Sequence, residues 1–328
     1  MKQEISNSLD YMMENNQTYL SNPMLLSLWV MSKSFLNESG NTTELVNYLD
    51  LMQESDGAWS SSWTRIFTTN RILTAYFLMN ATPAHSLDTF FANYDTWAEA
   101  RNYSATTGSR DARNMYHLIF AWVQYYWEYP PWINDFFTEL EATDLSWTSD
   151  SDFHERTHVL YSYVMARRPF PNLDGIIDAT ISAQMPNGKW DGSQYDFYST
   201  NGDVYFTSIQ ISLLREILIL YPSYRANEIT ASLEKAKLWT NASYQTQVLG
   251  GKTCGYFGNV TGIESSIFAG ILCASQTGLM QASVDMTFQA VVDKIVPEFS
   301  TVLLLLALLA TSIFSIALRN VRLRARKG

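Results

Sequence analysis

Cysteine, histidine and positive charge are all scarce in this chain. Its 328 residues include two cysteines, Cys254 and Cys273, and four histidines. Two cysteines make no disulfide framework, and their spacing fits no cysteine-based zinc pattern; they stand as buried thiols or as one bridge. Lys and Arg total 22 against 32 Asp and Glu, a net charge of −10. Alternation of β-branched and polar residues is almost absent, so the body reads as helices. An apolar h-region is also missing after Met1-Lys2-Gln3-Glu4, so the opening residues are no secretory signal. The expectation is a start lying upstream or a signal already removed. The alternative is a cytosolic body on a tail anchor.

One long apolar run is present, at the far end. Val302 to Leu318 is uncharged, and with Phe299, Ser300 and Thr301 it reaches the ~20 residues a bilayer requires. Arg319, Arg322, Arg324, Arg326 and Lys327 follow at once. The positive-inside rule puts that tail in the cytoplasm and the body outside the cell membrane. The division is a body over 1–290, a linker over 291–301, a transmembrane helix over 302–318 and a basic tail over 319–328. Taking the five tail cations and Glu298 from the totals leaves 17 basic and 31 acidic residues, a net of −14. Such a surface repels phosphate backbones, so nucleic acid is excluded as a partner. N-x-S/T sequons at Asn16, Asn37, Asn41, Asn80, Asn102, Asn241 and Asn259 agree with an exported glycoprotein.

Helical periodicity broken by Gly and Pro predicts helices over 3–19, 23–38, 42–55, 64–80, 84–97, 109–127, 131–142, 152–167, 172–185, 203–221, 225–244 and 261–280. These pair into hairpins. The first member is amphipathic: in 42–55, Leu45, Leu49 and Met52 share a face away from Glu44 and Asn47. The second is apolar nearly all round, as in Met115 to Val123 and Ile209 to Leu214, and must be buried on all sides. Half-buried helices alternating with fully buried ones are what a double ring demands.

Gln53-Glu54-Ser55-Asp56-Gly57-Ala58-Trp59 and Gln184-Met185-Pro186-Asn187-Gly188-Lys189-Trp190 share the pattern Q-x-x-x-G-x-W. They lie 131 residues apart, near three units of about 44, a period that signals stacked helical pairs. The pattern resembles the glutamine-tryptophan repeat of triterpene cyclases and the related repeat of protein prenyltransferase β-subunits. That resemblance covers roughly 40–280 and implies an all-α (α/α)6 toroid, with the motif architectural: Gln ties helix ends, Gly turns the chain and Trp packs over the Gln. Gly250 to Phe257 reads as a degenerate third copy. Pro297-Glu298-Phe299, the apolar run and the basic tail resemble PEF-type sorting signals of archaeal surface proteins, which implies a helix either retained or cleaved.

Chemistry is expected in loops leading into the inner helices. His154-Glu155-Arg156-Thr157-His158 matches H-E-x-x-H, so His154 and His158 share a helix face and could bind zinc while Glu155 activates water; Asp111 or His117 would be the third ligand. Arg156 and the lack of a third ligand at a recognised spacing depart from zinc proteases. Asp150-Ser151-Asp152 sits where cyclases carry Asp-x-Asp-Asp, but Phe153 replaces the last acid, and capping by Asp150 or Asp152 is the other role. No histidine follows His158, so the zinc set of prenyltransferases cannot be completed. Arg110, Arg113, Tyr116, Asp191, Tyr195, Asp196, Tyr198 and Asp203, with Gln194, would suit a glycan, lipid or protein ligand at one mouth. The reading is a surface-anchored toroid that binds a ligand or partner. The alternatives are an enzyme with metal-assisted or carboxylate chemistry on a glycan and a divergent cyclase.

Overall fold

The computed structural model describes residues 2–15, 18–36, 38, 42–61, 64–105, 111–142, 153–166, 168–192 and 202–257. Over these the chain is all-α apart from one small hairpin. The helices are α1 (Lys2–Asn15), α2 (Thr18–Ser21), α3 (Pro23–Phe35), α4 (Thr42–Leu51), α5 (Arg65–Leu78) and α6 (Asp88–Phe91). After a 3-10 turn at Ala92–Tyr94 come α7 (Trp97–Ala105), α8 (Asp111–Tyr126), α9 (Ile133–Glu141), α10 (Phe153–Met165), α11 (Leu173–Ser182), α12 (Gly202–Leu220) and α13 (Ala226–Ala242). Strands β1 (Tyr244–Leu249) and β2 (Lys252–Phe257) follow. The expected apolar span at 302–318 and the helix at 261–280 lie outside the described residues. Among the described residues, no helix is long and apolar enough to cross a membrane.

Local chemistry sets the helix ends. Asn22 caps α3 by accepting from Met24 N and Leu25 N at 3.0 and 3.2 Å, with Pro23 in the first turn where its missing N–H costs nothing. Asn172, in the left-handed region at φ 52°, accepts from Gly175 N to start α11. The motif helices stop earlier than periodicity suggests, at Leu51 and Ser182, because Gln53 and Gln184 spend their side chains on turns beyond the helix.

Helices α3, α5, α8, α10 and α12 pack side by side in chain order. These are the runs read as apolar all round, and α5, α8 and α10 are buried along most of their described length. Helix α4 lies on α3, α7 on both α8 and α9, and α13 on both α11 and α12. Trp59, Tyr76, Phe90, Phe91, Phe120, Phe137, Tyr163, Trp190 and Phe206 fill the space between these layers.

Two segments depart from the sequence expectation. Residues 84–97 are not one helix: 81–87 runs without helical bonding before α6. His85 N–H donates to Gln53 Oε1 and its C=O accepts from Gln53 Nε2, so this backbone is committed to the motif. Gly250 to Phe257 is not a third motif copy but part of a β-hairpin. Gly250 and Gly251, at φ 53° and 77°, form the two-residue turn, and Leu249 pairs with Lys252. The hairpin docks on α1, where Asn7 Nδ2 donates to Thr253 O at 2.8 Å, Ser8 Oγ to Gly255 O at 2.8 Å and Tyr244 OH to Glu4 at 2.7 Å.

Candidate functional site

Both motif copies build one structure. Gln53 Nε2 donates to Gly57 O at 2.7 Å and to His85 O at 2.8 Å; Gln184 Nε2 donates to Gly188 O and to Ser232 O, both at 2.9 Å. Each glutamine therefore closes its own turn and grips the backbone of the next outer segment. Trp59 Nε1 donates to Leu49 O at 2.8 Å, and Trp190 Nε1 to Thr180 O at 2.7 Å, so each indole returns to its own outer helix. Their backbone N–H groups meet threonine hydroxyls on the following buried helices, Thr69 of α5 at 3.3 Å and Thr207 of α12 at 3.0 Å. Those threonines stand ten and seventeen residues after the tryptophans, and the unequal spacing hid them from pattern reading. A charge clamp accompanies each copy with opposite polarity. Arg65 opens α5 against Glu54 and Asp56, and Lys189 in the second motif meets Asp203 in the first turn of α12.

A buried polar cluster lies where α5, α8 and α10 meet. Gln124 Nε2 donates to Asn70 Oδ1 at 2.8 Å, and Asn70 Nδ2 lies 2.8 Å from His117 Nδ1. With the amides in that orientation, Nδ1 of His117 accepts, and a neutral ring carries its proton on Nε2. Thr74 Oγ1 contacts Gln124 Oε1 at 3.0 Å and so completes the link between α5 and α8. The His117 ring stands edge-on to Phe67 at 4.6 Å and lies 5.3 Å from His158 of α10, with Tyr116 beside both. Arg71 adjoins this group through Phe67, its guanidinium 5.1 Å from that ring. Its Nε and Nη1 are buried with no hydrogen-bond partner among the described residues.

A cavity of about 620 Å³ sits beneath the segment 80–86, between the C-terminal turns of α5 and α8. Aromatic walls come from Tyr76, Phe77, Tyr125 and Trp127, and polar ones from Asn80, His85, Ser86 and Gln124. Burial, reinforced by the Asp50 carboxylate that its hydroxyl meets, pushes the Tyr76 phenol well above its ordinary range. Gln124 belongs to both features, so the cavity wall is hydrogen-bonded to the histidine cluster. Ser86 joins the cavity to the first motif, since its carbonyl sits against Gly57.

The expected site residues divide sharply. Tyr116 is buried in the ring cluster, not exposed at a mouth, because its phenol packs between Phe120, His117, His158 and Tyr161. The Asp203 carboxylate accepts from Lys189 Nζ and from Gly192 N, which holds the second motif's loop to α12. Asp191 is exposed beside that loop. His158 is 3 % exposed within the aromatic cluster. Arg156 turns away from it, donating to Thr180 of α11. Asp111 opens α8, and His154 and Glu155 lie in the first turn of α10. The side chains of these three and of Arg113 lie outside the described set, as do Arg110, Asp152, Gln194, Tyr195, Asp196 and Tyr198 entirely. Among the described residues no group of three or more His, Cys, Asp or Glu is arranged to hold a metal ion. No known protein family, curated protein or solved structure matches this chain.

Proposed function

We propose that this protein is a surface-anchored α/α-toroid that binds a polar ring-bearing ligand, of which a glycan is the best chemical fit. The cavity of about 620 Å³ beneath 80–86 carries the reading. Its size suits a small ligand, and it combines flat aromatic walls with a few polar groups that would fix orientation. Sugar rings offer apolar C–H faces to aromatics and hydroxyls to amides, and both partner types line this wall. This position differs from the loop mouth expected from the sequence.

The toroid itself is supported by three observations. Five buried helices neighbour one another in chain order, and each is preceded by an outer segment. The two motif copies make equivalent bonds three units apart. The hairpin after α13 docks on α1, which brings the last described outer element beside the first. The sixth inner helix of such a ring would be 261–280.

The anchored, extracellular placement rests on the apolar run 302–318 and its basic tail. The binding test is a glycan array probed with the full chain in mild detergent, followed by calorimetry on any sugar retained. Binding that drops at least tenfold in Trp127→Ala and is unchanged in the surface variant Leu238→Ser is the expected result. An array without a retained sugar, or equal binding by Trp127→Ala, would sink the reading.

A further inference from the structure

A second feature of the ring interior stands apart from the wall cavity. Arg71 is 3 % exposed, yet its Nε and Nη1 find no acceptor among the described residues. An uncompensated buried guanidinium costs several kcal/mol even after relaxation, so folded chains rarely keep one without a counter-charge. The cation–π contact with Phe67 offsets only part of that.

The direction of the side chain follows from helix geometry. On α5, Thr69 and Tyr76 face the outer layer, through Trp59 N and Asp50. At about 100° per residue, Arg71 lies roughly 200° from Thr69 and 140° from Tyr76, on the opposite side of the helix. There it joins Phe67, His117 and His158 in one continuous cluster drawn from α5, α8 and α10.

Arg71 presents donors only, and His117, in the same cluster, lies 2.8 Å from Asn70 Nδ2 through its Nδ1. A buried guanidinium whose Nε and Nη1 find no acceptor among the described residues is a poor arrangement for stability alone. We propose that the interior face of α5 and α8 is a binding site for a small anionic group, a carboxylate or a phosphate, held by the Arg71 guanidinium fork with His117 beside it. A guanidinium meets either oxyanion through paired, charge-assisted hydrogen bonds, and a water-poor setting strengthens them. This site does not depend on a sugar binding beneath 80–86.

Thermal unfolding of the full chain in detergent tests it, with inorganic phosphate and acetate titrated separately against chloride at constant ionic strength. The wild type is expected to show a saturable rise of about 5 °C at a hundredfold excess over half-saturation with one of the two oxyanions. Which oxyanion acts separates a phosphate ligand from a carboxylate one. Arg71→Met removes a charge that has no acceptor for its Nε and Nη1 among the described residues, so without added oxyanion it should melt at or above the wild-type temperature and show no rise. Arg71→Lys keeps the charge without the fork and should retain a weaker rise. The proposal is overturned by a wild type that responds to neither oxyanion beyond chloride. It is equally overturned by a full rise in Arg71→Met or, if that variant fails to fold, by an undiminished rise in Arg71→Lys.

Discussion

Replacing Gly188 by alanine should be among the most damaging single-methyl additions this protein can suffer. Gly188 sits at φ 99°, a backbone region L-residues rarely adopt. The left-handed strain alone is worth about 1–2 kcal/mol. A Cβ there would also lie 2.2 Å from Lys235 O and 2.6 Å from Lys235 C. That neighbour is helix backbone and cannot rotate away, so the motif loop must separate from α13. Separation stretches the bonds from Gln184 Nε2 to Ser232 O and from Ser232 Oγ to Gln184 Oε1, each worth about 1 kcal/mol. The sum is about 3–4 kcal/mol, a large share of the 5–15 kcal/mol that typically holds a fold. Gly251 supplies the control. It has φ 77°, but nothing lies within 4 Å of an added Cβ, so Gly251→Ala should cost only the conformational part, about 1–2 kcal/mol. Urea unfolding of both variants, followed by far-ultraviolet circular dichroism, reads the difference. Equal midpoints for the two would refute the claim that backbone contact with α13 sets the cost.

Other outcomes follow from the same contacts. Trp190→Phe removes the donor to Thr180 O and leaves part of a fully buried site empty; a loss of about 2–4 kcal/mol is expected in the same unfolding assay. Gln124→Leu leaves Asn70 and Thr74 without their amide partner at a buried site and should cost about 1–3 kcal/mol. Burial pulls the Glu38 carboxyl upward, but hydrogen bonds from Lys33 and Ser6 outweigh it and hold it below the usual value. Its stabilising effect is therefore present above the unfolded pKa of glutamate and fades as pH falls through the lower, folded value. The melting temperature of wild type should converge on that of Glu38→Gln as the solution is acidified below about pH 4. Carbonate washing of membranes should leave the full chain in the pellet, and deletion of 302–328 should release it.

Much of the helical order was legible in the sequence. Met115 to Val123 of α8 and Ile209 to Leu214 of α12 are largely apolar, and a helix apolar on every side must be buried whatever its partner is, whereas α5 buries Thr68, Thr69, Asn70, Arg71 and Thr74 among its apolar residues. The two motif copies were legible because the glycine, glutamine and tryptophan act within seven residues of chain, so their spacing is fixed locally. Segment 84–97 was misread because its backbone is held by Gln53, a residue from another helix pair, and no local pattern announces that. The hairpin at 244–257 was hidden by a helix-like approach through α13, although Gly250-Gly251 between β-forming residues carried the signal. Thr69, Thr207 and Ser86 could not be found by spacing because each meets its motif across a loop of different length. Composition settled the acidic balance and the scarcity of metal-binding residues. Packing alone decided that Asn70, Arg71, His117, Gln124 and His158, scattered over three helices, share one buried space. Sequence distance does not measure which faces of neighbouring helices are pressed together; only the rotation and register of those helices in the folded chain can.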